Sequence, residues 1–420
     1  MEKISKMFHS KVAKNGFWMV LLQGFNTVIP LLTLPYITRI LSTTSYGEFS
    51  IALNWVGYFQ VVVEYGFGLT GARRAATYKK RKEIDEVHSN IICARLVLLL
   101  VCTAIFVVVI LTTHIDRTQV ICMVVLFLMV LAVVFQQNWF FQGIAEMKNL
   151  TIINVVSRSI SVALIFLLVK TPNDLYLYCF LYISNFLISS LFGSLVVRFK
   201  YKVKFSISKF NIIISELKDG WPLFVSSAMT KIFGSVGITI LGIISTNDAV
   251  GIYSAINKIP YVLTLLFSAI AQALYPFMCN SFEISFKTGL KTVKKYGVPV
   301  FSFFAFSGAL IMIANRLIVR IVFGVDYIDS STLLIPFVIW VLFGIVNNFL
   351  GIQTLVASGH QKEYSMAFTI SVVVMLGLMF LLGHFLGAYG IAYASMISEM
   401  MLSLMLILFI KRVMGKETVT

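Results

Sequence analysis

Long apolar runs alternate with short polar breaks from one end of the chain to the other. A run of about 20 apolar residues is long enough to cross a hydrocarbon core as a helix, the one single-segment form that satisfies its own backbone hydrogen bonds in lipid. Twelve such runs are predicted, near 17–41, 47–68, 87–111, 120–141, 151–170, 174–197, 219–244, 250–279, 295–314, 331–357, 362–384 and 388–410. Pro30 and Pro35 fall in the first run and mark a kink, because proline lacks an amide donor. Gly383, Gly387 and Gly390 in "GHFLGAYG" predict a tight turn or close packing between the last two runs.

One phrase is written twice. "ILSTTSYGEFSIALNWVGY" starts at Ile40 and "IISTNDAVGIYSAINKIPY" at Ile243. At an offset of 203, Ile40, Ser42, Thr43, Ala52, Asn54 and Tyr58 match Ile243, Ser245, Thr246, Ala255, Asn257 and Tyr261. Between these the frame slips by one residue, so that Gly47, Phe49 and Ser50 answer Gly251, Tyr253 and Ser254. Runs 1 and 7 start from the same side of the membrane, so the phrase predicts two six-helix bundles related by an axis along the membrane normal. Parallel repeats of this kind place substrate between the halves and rock one half against the other. The expected organisation is a bundle over 1–197, a basic cytoplasmic linker over 198–218 and a second bundle over 219–420.

Composition agrees with the pattern. A chain of 420 residues that is 59% hydrophobic and 12% charged cannot hide its apolar surface in a soluble fold. The opening "MEKISKMFHSKVAKNGFW" leads into an apolar run too long for a secretory signal and without a small-residue cleavage site, so it reads as a retained first helix. Cys93, Cys102, Cys122, Cys179 and Cys279 all fall within predicted spans at no metal-ligand spacing and read as packing residues. The five histidines are scattered, and no G-x-x-x-x-G-K-[ST] loop occurs. These absences argue against an ATPase and a metalloenzyme; no cofactor is expected, with proton or sodium coupling left open.

The placement of charge matters more than its formal sum of +16. Twelve spans put 25 Lys and Arg on the side of the N-terminus and five (Arg39, Arg117, Lys170, Arg316 and Arg320) on the other. Positive loops stay in the cytoplasm, so both termini are expected there. Topology alone explains the basic loops. The alternation of cations and aromatics in "RFKYKVKFSISK" also suits anionic headgroups, whereas loops that flank lipid-buried helices offer little to nucleic acid. Inside the spans lie Arg39, Arg95, Arg158, Lys231 and Lys258 against Glu64 and Glu399. Charges at that depth face a wet cavity or a partner. Arg95 and Arg158 are near enough to the cytoplasmic ends to snorkel, whereas Lys231 and Lys258 are deeper. Lys258 follows Asn257, the repeat partner of Asn54, and an excess of cations suits an anionic, phosphate-bearing substrate.

"PLLTLPYITRILSTTSYGEFS", "NWFFQGIAEMKNLTIINVVSRS" (Asn138 to Ser159), "LVASGHQKEYSMAFTI" and "GAYGIAYASMISEM" together resemble the Wzx-type O-antigen and polysaccharide flippases of the multidrug/oligosaccharidyl-lipid/polysaccharide superfamily, over essentially the whole chain. The resemblance implies an all-α membrane protein with twelve transmembrane helices, a V shape and alternating access through a central hydrophilic cavity. It implies transfer of an undecaprenyl-pyrophosphate-linked oligosaccharide from the cytoplasmic to the periplasmic leaflet of the bacterial inner membrane. Partners would be that lipid-linked sugar, the bilayer, a polysaccharide polymerase and a chain-length regulator. Arg39 and Lys258 match in type the cavity cations of related lipid flippases; Glu399 sits at the glutamate of the late pattern, and Gln142, Gly143 and Lys148 in the span-four pattern. An ion-coupled drug or metabolite exporter of the same superfamily is the alternative, and would expect an acidic pocket. An O-antigen polymerase or ligase would expect a large external loop, and every predicted external loop here is short.

Overall fold

The computed structural model describes residues 11–417 apart from Lys79 and His114. Lys3, Lys6 and Lys79, which entered the charge partition, lie outside the described residues, as do the extreme termini. Among the described residues the chain is helical and has no strand. Its helices are α1 (Lys11–Ile40), α2 (Thr43–Glu64), α3 (Phe67–Thr77), α4 (Arg81–Thr112), α5 (Arg117–Phe135), the short α6 (Asn138–Gly143), α7 (Met147–Leu168) and α8 (Leu175–Leu195). Then come α9 (Phe210–Ile244), α10 (Asn247–Ile256), α11 (Lys258–Ile284), α12 (Phe286–Ile313), α13 (Asn315–Val322), α14 (Leu334–Asn347) and α15 (Gln361–Glu417).

This is a multi-pass membrane protein: among the described residues ten helical runs are long and apolar enough to cross a bilayer. The sequence pattern predicts twelve, and the difference has two physical sources. The 22-residue α2 is not among the ten, because Glu48, Asn54, Gln60 and Glu64 dilute its apolar stretch. The last two predicted spans form one 57-residue helical run, interrupted at Gly387 with φ 56° and ψ −130°. A Cβ at Gly390 would lie on the Leu382 carbonyl and one at Gly383 would lie 2.7 Å from Ile391, so the glycines allow the chain to fold back on itself without a loop. In α1, by contrast, the helix continues through Pro30 and Pro35.

By contacts the chain divides into two compact units, one through Val236 and one from Gly237. The division falls within α9, because residues of its first half are held in the first unit. Arg74 on α3 pairs with Glu216 and with Asp219 (2.9 Å), and Tyr65 stacks on Phe224 with centroids 4.6 Å apart.

In the first unit α2 packs on α5, α5 and α7 pack on α8, and α1 runs along α7. The α1–α7 seam is pinned at three depths: Asn15 Nδ2 donates to the Ala145 carbonyl (2.9 Å), Thr151 Oγ1 to that of Trp18 (2.9 Å) and the Tyr36 hydroxyl to that of Val169 (2.7 Å). The "NWFFQG" motif forms α6. Its Trp139, Phe140 and Phe141 are buried, and a Cβ at Gly71 of α3 would come 2.8 Å from the Trp139 ring. In lipid, close packing over small residues does much of what hydrophobic burial does in water, so this motif reads as a packing junction. The second unit has its core between α11, α12 and α14, around Phe267, Phe304 and Phe349. All five cysteines are free, four of them buried and Cys279 half-buried.

Candidate functional site

The predicted interior polar residues fall at separate stations. On α2 and α9 the structure brings Asn54 and Lys231 to one seam. Buried Asn54 donates through Nδ2 to the Ser235 carbonyl at 3.4 Å, and one helical turn away the Lys231 ammonium lies 5.6 Å from the Tyr58 ring centroid. Gly57 makes that approach possible: a Cβ there would lie 2.7 Å from Lys231 Nζ. An ammonium over an aromatic face is held by the ring quadrupole, which retains a positive charge beside apolar helices without neutralising it. Lys231 is half-buried.

The arginines have different settings. Arg39 is exposed in the last turn of α1. Arg158 is half-buried on α7 and donates to Asn26 Oδ1 on α1 at 2.7 Å. Arg95 is buried, and its Nη1 donates to the carbonyls of Val133 (3.1 Å) and Gln136 (3.0 Å) at the C-terminus of α5. A cation there complements the helix dipole and satisfies end carbonyls that lack intrahelical partners. The Arg95 guanidinium therefore works as a strut within the first unit. Glu64 is exposed at the end of α2.

The second unit holds Asn257, Lys258 and Glu399. Half-buried Asn257 closes α10, its N–H turning back to the carbonyls of Tyr253 and Ala255, and Lys258 opens α11 with an exposed side chain. Lys258 has no hydrogen-bond or ionic partner among the described residues. Glu399 is half-buried and clamped by Asn347, whose Nδ2 lies 2.5 Å from Oε2 and 2.8 Å from the Glu399 carbonyl. Ser403 completes the cluster by donating to Asn347 Oδ1 at 2.6 Å. Among the described residues, no cation lies within ion-pair distance of Glu399 and no cluster of His, Cys, Asp and Glu is able to hold a metal.

Three of these contacts escaped sequence reasoning. Asn347 carried a weak signal, since the Asn347–Asn348 pair breaks an otherwise apolar run. Gly57 carried none, because its role exists only once Lys231 crosses it. In the sequence Arg74 is one of many loop cations, and only the fold gives it two carboxylate partners.

The family model described as "Polysaccharide biosynthesis protein" matches residues 12–282. The chain belongs to that family. One relative of this polysaccharide biosynthesis protein, provisionally named an O-antigen transporter, in Escherichia coli (strain K12), is 28% identical over 375 residues that cover 88% of each chain. The fold of this family member is similar to that of the lipid II flippase MurJ in an inward closed conformation, with a TM-score of 0.70, 14% identity, and 94% of this chain and 87% of that one covered. It is also similar to an inward-facing multidrug resistance MATE family transporter of the MOP superfamily, with a TM-score of 0.66, 14% identity, and 93% and 99% covered.

Proposed function

We propose that this protein is a flippase that carries undecaprenyl-pyrophosphate-linked O-antigen, or a related polysaccharide repeat unit, from the cytoplasmic to the periplasmic leaflet of a bacterial inner membrane. One observation carries the reading: the match to a relative named for O-antigen transport covers 88% of both chains. Splitting α15 at Gly387 and adding α2 to the ten apolar runs gives twelve spans, six in each repeat. In this reading both termini are cytoplasmic, residues 198–218 link a bundle over 1–197 to one over 219–420, and transport is by alternating access through a cationic cavity.

In this mechanism the pyrophosphate rides on the cavity cations, the sugars stay in the wet interior and the polyprenyl chain trails into lipid. Lys258 is the first candidate for the phosphate, its side chain being exposed and without a hydrogen-bond or ionic partner among the described residues. Lys231 is the second, its ammonium oriented by Tyr58 and Gly57. Arg39 and Arg158 extend the basic surface, whereas Arg95 is occupied by backbone carbonyls. Glu399 and Glu64 are the candidate coupling groups for protons or sodium. An unpaired carboxylate among apolar helices is costly when ionised, which favours Glu399 as a group that exchanges a cation during the cycle. No covalent step is required.

The test is deletion of the gene in its native host, followed by a surface-polysaccharide gel and an assay of lipid-linked oligosaccharide. Loss of the long-chain ladder with complete repeat units trapped on the inner leaflet is expected. An intact ladder with altered sensitivity to cationic drugs would favour the exporter instead.

A further inference from the structure

Between α8 and α9 the chain does something that topology alone does not require. A π-helical turn over Val196–Lys200 ends α8; Lys202, at φ 50°, then turns a corner into an extended strap that lasts until Phe210 opens α9. The strap lies against the first turns of α4, pinned through alternate residues. The Lys204 N–H donates to Asp85 Oδ1 (2.9 Å), the Ser206 N–H to Ser89 Oγ (3.0 Å) and the Ser208 hydroxyl to Asn90 Oδ1 (2.6 Å). Val203, at the start of the strap, is buried, 3% exposed.

At Lys204 and Ser206 the strap is pinned through its backbone amides, which leaves the side chains outward: Lys204, Phe205, Ser206 and Ile207 are all exposed. Ile207 is 89% exposed and Phe205 48%, in a segment whose ends carry the exposed Phe199 and Phe210. Around them stand Arg198, Lys200, Lys202, Lys204 and Lys209, and from 198 to 209 there is no acidic residue. The side chains of Lys202, Lys204 and Lys209 have no partner among the described residues. The hydrogen bonds hold the apolar groups out of the protein, where exposure to water is unfavourable. The segment joins two apolar runs long enough to cross the bilayer, Pro172–Lys200 and Phe210–Ile244, so its nearest neighbour is the membrane surface.

We infer that the 199–209 strap is a docking surface for anionic phospholipid: Phe205 and Ile207 enter the headgroup–acyl boundary and the lysines engage lipid phosphates. Charge complementarity selects the occupant. Basic segments beside a membrane are drawn to anionic lipid within a Debye length of its surface, and amphipathic residues then bury their apolar side at the boundary. The inference requires only that the flanking helices sit in a bilayer and stands apart from the identity of the transported molecule.

The experiment uses the full-length protein with a polarity-sensitive fluorophore on Ile207→Cys in a Cys279→Ser background. It is reconstituted in vesicles of phosphatidylcholine alone or mixed with phosphatidylglycerol, each with brominated acyl chains as quencher. Severalfold stronger quenching in the anionic vesicles is expected, reduced by salt and returned to the phosphatidylcholine level by Lys202→Gln with Lys204→Gln and Lys209→Gln. The side chains of those lysines make no fold contact among the described residues and their backbone bonds survive the substitution, so the triple variant reads lipid binding without unfolding. Equal quenching in both vesicles, or an anionic preference that survives the triple variant, would overturn the proposal. Absence of quenching in either vesicle would also overturn it and leave the face to a protein partner.

Discussion

The two copies of the repeated phrase fold alike at their starts and differ in their middles. Ser42 caps α2 by accepting the Ser45 amide, and Thr246 caps α10 by accepting the Ala249 amide. The aromatic about two turns in is buried in both: Phe49 lies 4.7 Å from the Tyr178 ring, Tyr253 5.1 Å from the Phe337 ring. Beyond that point α2 runs on unbroken to Glu64, with Asn54 buried, whereas the second copy is irregular for one residue at Asn257, whose backbone stays helical (φ −61°, ψ −16°), just before Lys258. The same starting signals thus make an uninterrupted helix in one unit and a one-residue irregularity beside an exposed ammonium in the other. Packing fixes the shared part; the divergent part is where chemistry is free to vary.

The sharpest way to break this comparison is at Lys258. Lys258→Ala should abolish export of surface polysaccharide at unchanged levels of inserted protein, with Lys258→Arg partly tolerated; a normal ladder from the Ala variant would remove Lys258 from substrate binding. Next come the glycines at the seam of each copy, Gly57 within the first and Gly237 against the second. A Cβ at Gly237 would lie 2.6 Å from the Tyr253 hydroxyl and 3.0 Å from Ile391, both buried, so Gly237→Ala should destabilise by about 1–3 kcal/mol. At Gly57 the obstacle is the far end of the Lys231 side chain, which can swing away, and Gly57→Ala should stay within about 0.5 kcal/mol. Thermal unfolding of both in one detergent checks this, and equal losses would mean that the two seams are equally rigid. The smallest effects belong to the caps: Ser42→Ala and Thr246→Ala should each lose about 1 kcal/mol, additively, because they sit in different units. A cap that proves silent would show that packing, not capping, starts that copy.

Most of the helices were legible because membrane spans advertise themselves by length. The exceptions are instructive. In α2, Asn54 is satisfied by a carbonyl of α9, a partner 181 residues away that no window of hydropathy can contain. The join in α15 was legible as glycines but not as a continuous helix, since whether the backbone leaves helical bonding at a turn depends on how closely two segments approach. The candidate site was legible as residue types and less so as roles. Arg95 and Lys231 are both lone cations in apolar runs, yet one is buried against the end of α5 and the other lies over Tyr58 beside a glycine. Sequence distance hides this distinction, because the deciding neighbours come from other helices.

The pairing of Arg74 with Glu216 also has a history in time. The two are 142 residues apart, and a ribosome adding about 5–20 residues per second needs on the order of ten seconds to make that stretch. Through that interval Arg74 has no carboxylate from α9 to meet, and its bare charge is free to hold the α3–α4 connection on its own side of the membrane. Once α9 is made, the same guanidinium becomes its ligand. One side chain thus serves first as a signpost for the nascent chain and later as a fastener for the finished one.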